Sequence, residues 1–149
     1  MTTKVVVQEF LSQKTLAIAG VSRDTNKFGN MVYKHMKARG YQVYAINPNA
    51  ESIDGDPCYA SLAALPQPVD GVVAVLTPDR TEKLVEEAAA AGVKHIWMQQ
   101  GAESPAAIQF CQDHGIHEVH GECLIMYASP SFPHSMHTFV WKLIGKAAS

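Results

Sequence analysis

Gly20, Ser22, Arg23, Lys27 and Gly29 have the types and spacing to meet an anion, and all lie in the stretch TLAIAGVSRDTNKFGN, from Thr15 to Asn30. Leu16, Ala17, Ile18 and Ala19 read as a buried strand that stops at Gly20. Val21 and Ser22 continue the turn, and a helix begins near Phe28 to Asn30 and runs to about Arg39. A strand that halts at glycine and passes into a helix start aims several backbone N–H groups at one point, which suits a phosphate. Arg23 and Lys27 would add charge to that point, although a solvated loop position is the common state of either residue. Ser22 either donates its hydroxyl to a phosphate or satisfies the turn.

The spacing G-x-S-x6-G in this loop is neither the G-x-G-x-x-G fingerprint of dinucleotide sites nor a Walker A sequence. Asn47-Pro48 closes the second predicted strand, where an NAD enzyme normally presents Asp or Glu to the ribose hydroxyls. Cations in the loop and no acid at Asn47 favour a ligand with more phosphate charge than NAD.

Other chemistry finds less support. His114, His117, His120, Cys123, His134 and His137 crowd the last third of the chain. His134 and His137 share a helical face, and His120 with Cys123 would complete four ligands. His117 and His120, however, point to opposite faces of a strand, and no CxxC or HExxH pattern is present, so unliganded histidines are favoured. Cys123 is either a thiol that pairs with a thiol ligand or an oxidant, or a small buried hydrophobe, and the inert reading is favoured. Cys58 and Cys111 look structural, Trp97 and Trp141 look like packing residues, and Ser22 has no identifiable His and Asp partners. No catalytic residue and no metal ligand is expected, and a binding role is favoured over an enzymatic one.

The elements that must position these residues follow from periodicity. Val5, Val6, Phe10 and Leu11 mark a leading helix capped by Thr2 or Thr3, covering one edge of the sheet. Met31, Val32, His35 and Met36 give the second helix its inner stripe, ended by Gly40. Gln42–Ile46 is the second strand, 53–68 is irregular with one helical turn near Ser61 to Leu65, and Gly71–Leu76 is a strand covered on both faces. Thr77 and Pro78 start a helix that reaches Gly92, with Leu84, Val85, Ala88 and Ala91 as its apolar positions. Lys94–Met98 is the fourth strand, Ser104 and Pro105 start a helix with Ile108 and Cys111 inward, and Ile116–Val119 is the fifth strand, with Leu124 to Met126 as a short extension. Met136, Phe139, Val140, Leu143 and Ile144 mark a closing helix over about 134–146. Strands alternating with helices predict an α/β fold, with a mainly parallel five-stranded sheet between helices on both faces. A ligand then sits outside the carboxyl ends of the strands, among the loops at Gly20–Gly29, Asn47–Pro48, Thr77–Pro78 and Gln99–Gly101.

At 149 residues and 47% hydrophobic composition, one domain spanning 1–149 is expected, with its core over about 12–126. A net charge of −2 offers no general attraction for nucleic acid. No apolar run approaches the roughly 20 residues of a membrane span, and the N-terminus lacks the basic-then-apolar order of a signal peptide, so a cytoplasmic location is expected. Three cysteines without a CxxC pair fit reduced thiols.

The ordered set GVSRDTNKFGN, GYQVYAINPN, IDG with CYASLAALP, VDGVVAVLTP, HIWMQQGA and the late Cys123 resembles the small stand-alone CoA-binding domain proteins. These are similar to the nucleotide-binding domain of the succinyl-CoA synthetase alpha subunit. The resemblance spans about Ser12 to Met126. It implies a Rossmann-like, three-layer domain holding coenzyme A or an acyl-CoA across the strand ends. On that reading the Gly20–Val21–Ser22 turn, Arg23, Lys27, Phe28, Gly29 and Asn30 surround the phosphates, and Asn47 and Pro48 lie beside the adenosine. Leu76, Thr77 and Pro78 pack against the nucleotide, and Gln100 and Gly101 face the crevice further along. Synthetase activity is not implied, because that enzyme draws a phosphohistidine from a further domain and needs a partner subunit. The alternative is a small NAD(P)-binding oxidoreductase or redox sensor on the same strand–turn–helix. The stripe Met136, Phe139, Val140 and Ile144 serves either a homodimer or intramolecular packing.

Overall fold

The computed structural model describes residues 4–24, 27–53 and 55–127. The predicted closing helix, with His134, His137, Trp141 and its apolar stripe, lies outside these residues, as do Thr2 and Thr3.

The strands are β1 (Thr15–Ala19), β2 (Gln42–Ile46), β3 (Ser52–Ile53), β4 (Asp56–Tyr59), β5 (Gly71–Ala74), β6 (His95–Gln99) and β7 (His117–Glu122). The helices are α1 (Lys4–Leu11), α2 (Phe28–Ala38), α3 (Pro78–Ala90), α4 (Pro105–Asp113) and α5 (Leu124–Tyr127). The sheet runs β3-β4-β2-β1-β5-β6-β7, parallel throughout except for the antiparallel β3–β4 pair. It therefore has seven strands where the sequence predicts five. The two additional strands come from the segment read as irregular. They are two and four residues long, and β4 contains Pro57, so neither carries a strand pattern of its own. What makes β4 a strand is the free edge of β2, which it joins at Ala45 opposite Cys58 and Ile46 opposite Tyr59.

Along β1, alternate residues serve the two cores of a three-layer arrangement. Leu16 and Ile18 pack with Val7, Phe10, Val32, Met36, Val73, Trp97 and Leu124, beneath α1, α2 and α5. Ala17 and Ala19 pack with Leu84, Val85, Ala88, Met98, Ala107 and Cys111, beneath α3 and α4. Small alanines on that side let α3 and α4 approach the sheet closely. α1 lies over β6 and β7, where Phe10 meets Trp97 edge to face at 5.5 Å.

Some expected details differ. In α1 the buried residues are Val7 and Phe10, and Val5 is 66% exposed. In α2 Met31 is 52% exposed, and Tyr33 joins Val32 and Met36 inside. The rotation of α2 is set by the tight approach of Gly29 to the β1 turn, which outweighs the apolar pattern. Leu124 to Met126 extends no strand. The chain enters α5 there, after a register shift between β6 and β7 near Met98 and Gln99. The buried Gln99 side chain accepts a hydrogen bond from the Leu124 N–H at 3.0 Å, which satisfies one of the open donors of that helix start. No helix among the described residues is long and apolar enough to cross a membrane.

Candidate functional site

The strand order reverses between β1 and β5, and the loops after β1, β2, β5 and β6 meet there. The turn after β1 depends on two glycines. Gly20 has φ +110° and lies so near the Val75 carbonyl that a Cβ would overlap it. A Cβ on Gly29 would overlap the Gly20 carbonyl oxygen, so only glycine lets the start of α2 sit directly behind the turn.

Two asparagines then hold the loop. The Ser22 N–H donates to Asn30 Oδ1 and Asn30 Nδ2 donates to the Ser22 carbonyl, each at 2.8 Å. Asn47 Nδ2 donates to the Val21 carbonyl at 2.8 Å, and Asn47 Oδ1 accepts from the Asn49 N–H at 2.8 Å. Ser22 Oγ accepts from the Asp24 N–H at 3.1 Å. Lys27 occupies the cap position of α2 without a side-chain hydrogen bond to the helix. Lys27, Phe28 and Gly29 all line the cavity, so the start of α2, where backbone N–H groups lack intrahelical partners, borders it.

A crevice of about 1170 Å³ opens in front of this loop. Of the residues singled out in the sequence, Gly20, Val21, Ser22, Lys27, Phe28, Gly29, Asn47, Pro48, Leu76, Thr77, Pro78, Gln100 and Gly101 line it. Arg23 and Asn30 do not. Arg23 is exposed on the loop, and Asn30 is buried behind it, where its carboxamide is spent on Ser22. Thr77 precedes α3 as expected, but its side chain makes no cap bond to the helix. Its hydroxyl bonds the Asp79 carboxyl instead, which chiefly holds that group below the usual carboxylate range.

Gln99 lines the crevice with the Gln99–Gly101 loop as expected, whereas Arg80, Lys83, Leu84 and Glu87 of α3, together with Asn49 and Ala60, are lining residues that the sequence reading missed. The signal was present: positions 80, 83, 84 and 87 form one helical stripe that starts in the first turn of a helix already placed at the crevice. Among the described residues the lining therefore holds the cations Lys27, Arg80 and Lys83 against the single acid Glu87. Cys123 also reaches the wall, placed there by the bond from Gln99 to the start of α5.

The other titratable groups lie elsewhere. Burial pushes the Cys111 thiol up to about 12 and raises that of Cys58. His95 and His117 stack at 5.3 Å at the beginnings of β6 and β7, the opposite end of the sheet. His120 pairs with Glu118 at 2.8 Å. Among the described residues, no group of three His, Cys, Asp or Glu side chains is placed to hold a metal ion.

Residues 14–129 match the CoA binding domain family. The chain is 28% identical over 123 residues to the ADP-forming acetate–CoA ligase I of Archaeoglobus fulgidus, across 76% of this chain and 18% of the ligase. It is 33% identical over 81 residues to the ADP-forming acetate–CoA ligase of Methanocaldococcus jannaschii, across 54% of this chain and 12% of the ligase. The chain thus spans less than a fifth of the length of these curated relatives. Among solved structures, a conserved hypothetical protein from Pyrococcus furiosus superposes with a TM-score of 0.73 at 34% identity, over 76% of this chain and 98% of that one. A hypothetical protein from Pyrococcus horikoshii OT3 superposes with a TM-score of 0.76 at 27% identity, over 84% and 88%. With the family match covering most of its length and small proteins sharing its fold, the chain belongs to the CoA binding domain family.

Proposed function

We propose that this chain, as one domain, binds coenzyme A or an acyl-CoA in the crevice at the carboxyl ends of β1, β2, β5 and β6, without catalysing a reaction of its own. The observation that carries this reading is the braced Gly20–Gly29 loop, with Lys27 and the α2 N-terminus facing a crevice that holds three cations and one acid. The diphosphate lies against the N–H groups of Phe28 and Gly29, with Lys27 as counter-ion and Ser22 beside it. The adenosine lies beside Asn47 and Pro48, Leu76, Thr77 and Pro78 pack on the nucleotide, and Gln100 and Gly101 border the remaining arm. Arg23 contributes field from the exposed loop, and Asn30 fixes the loop from behind. Among the described residues no histidine lines the crevice beside the Cys123 thiol, which favours a binding role.

Calorimetric titration with CoA and acetyl-CoA tests the reading. Binding is expected, and Lys27→Ala should weaken it by about 1.5 kcal/mol, the low end for a charge-assisted hydrogen bond because Lys27 is exposed. A wild-type chain that takes up neither ligand overturns the proposal, and one that binds only NAD(P) supports the oxidoreductase alternative. Native mass spectrometry of the purified chain reads a retained ligand and a homodimer in one measurement.

A further inference from the structure

The loop, the α2 N-terminus and Lys27 suffice for a diphosphate, which leaves Arg80 and Lys83 of α3 without a role. Both are exposed, and among the described residues neither forms an ion pair. They do nothing evident for the fold, and Arg80 stands in the first turn of its helix, where a cation opposes the helix dipole. The neighbouring Asp79 has its carboxyl engaged by the Thr77 hydroxyl. The adjacent Asp79 carboxyl offsets part of that charge, but among the described residues no salt bridge joins the two, so the Arg80 guanidinium keeps its donors for an anion in the crevice.

The same crevice is lined by Asn47, Pro48 and Asn49, which follow β2. In an open α/β sheet this is where the adenosine ribose of a bound nucleotide lies, and an acid there would accept from its hydroxyls. Here the Asn47 carboxamide is committed on both atoms, to the Val21 carbonyl and the Asn49 N–H. It offers a ribose hydroxyl pair no carboxylate and at most the second lone pair of an amide oxygen already in use. The crevice that Asn47, Pro48 and Asn49 share with Arg80 and Lys83 thus presents cations and no acid other than Glu87, one turn beyond Lys83, among its described lining residues.

We infer that Arg80 and Lys83 together seat a phosphate monoester on the adenosine ribose, so that the crevice selects ribose-phosphorylated adenine nucleotides over their unphosphorylated counterparts. This rests on the ligand reading above and specifies which part of the ligand α3 recognises. Arg80 offers a planar fork of donors that can take two phosphate oxygens, and Lys83 adds a mobile point charge. A ribose phosphate occurs both in CoA and in NADP, and the test separates the two.

Wild type, the double variant Arg80→Ala/Lys83→Ala and the single variant Arg80→Lys are titrated with CoA, dephospho-CoA, NADP and NAD. The wild type should bind CoA at least about tenfold more tightly than dephospho-CoA, the ratio expected for losing one charge-assisted contact. In the double variant the ratio should fall towards one, whatever the general loss of affinity for both ligands. Arg80→Lys should retain part of the preference. Because the ratio is taken within one protein, any loss of folded fraction cancels. Equal wild-type affinities for CoA and dephospho-CoA would overturn the α3 seat while leaving CoA binding intact. A preference that survives in the double variant would overturn it too. A preference seen only for NADP over NAD would keep the seat and overturn CoA as the ligand, and failure to bind any of the four would overturn both.

Discussion

Asn30 and Asn47 show how one side-chain type braces the loop that borders a site. Each carboxamide has one donor and one acceptor face, and together they hold Val21 and Ser22 through hydrogen bonds of 2.8 Å. Asn30→Ala would strand the amide and the carbonyl of Ser22 and should cost about 2–3 kcal/mol, read as a lower urea midpoint at unchanged slope. Asn30→Asp keeps the acceptor but loses the donor and buries a charge, so it should not rescue stability. The cysteines give a separate check on the crevice. Cys123 lines it, Cys58 does not, and Cys111 is fully buried. A thiol reagent at neutral pH should label Cys123, and saturating CoA should protect it. Protection of Cys58 alone would place the ligand elsewhere. Asn30 was visible in the sequence as part of the loop motif, but whether its amide faces the ligand or the loop depends on where Ser22 lies in space.

The helices differ in how firmly their own residues specify them. α4 begins with Ser104, whose Oγ accepts from the Ala107 N–H at 3.0 Å and donates to Glu82 of α3 at 2.7 Å. That local Ser-Pro start is legible in the sequence because cap and donor are three residues apart. Ser104→Ala removes both bonds and should lower stability by about 1 kcal/mol, measured as a lower thermal midpoint with ligand affinity unchanged. α2 is less determined by its pattern. Its apolar positions suggest Met31 inside, whereas the contact of Gly29 with the Gly20 carbonyl turns Met31 outward and Tyr33 inward. The short strands β3 and β4 carry no periodic signal; β4 exists because β2 has an edge to pair, and β3 pairs antiparallel with β4 in turn.

Across the domain, the two cores on either side of the sheet give stability a defined pH dependence. Cys111 lies at the centre of the core beneath α3 and α4, and burial moves its thiol from an ordinary value near 9 to about 12. Between those values the unfolded chain releases this proton and the folded chain keeps it. The contribution is therefore fully present below pH 9 and is lost as pH rises towards 12. Tyr33 and Tyr41, also raised by burial, act with the same sign. Urea unfolding followed from pH 8 upward should show falling stability, and Cys111→Ala should flatten the fall while lowering stability at neutral pH. An unchanged slope in Cys111→Ala would show that this thiol titrates normally in the folded state.

The succession of strands and helices, the glycine turn after β1 and the loops that gather at the strand ends were determined by the sequence itself. Each depends on contacts within a few residues: apolar period, Gly20 at the turn, Pro78 and Pro105 at helix starts. The tertiary structure alone decided the seventh-strand count, the inward rotation of α2, the use of Asn30 and Asn47 as braces, and the turning of Arg80 and Lys83 to the crevice. Those outcomes depend on which distant backbone a polar or short segment meets, and in a linear pattern an exposed cation on a helix looks the same whether it faces water or a ligand.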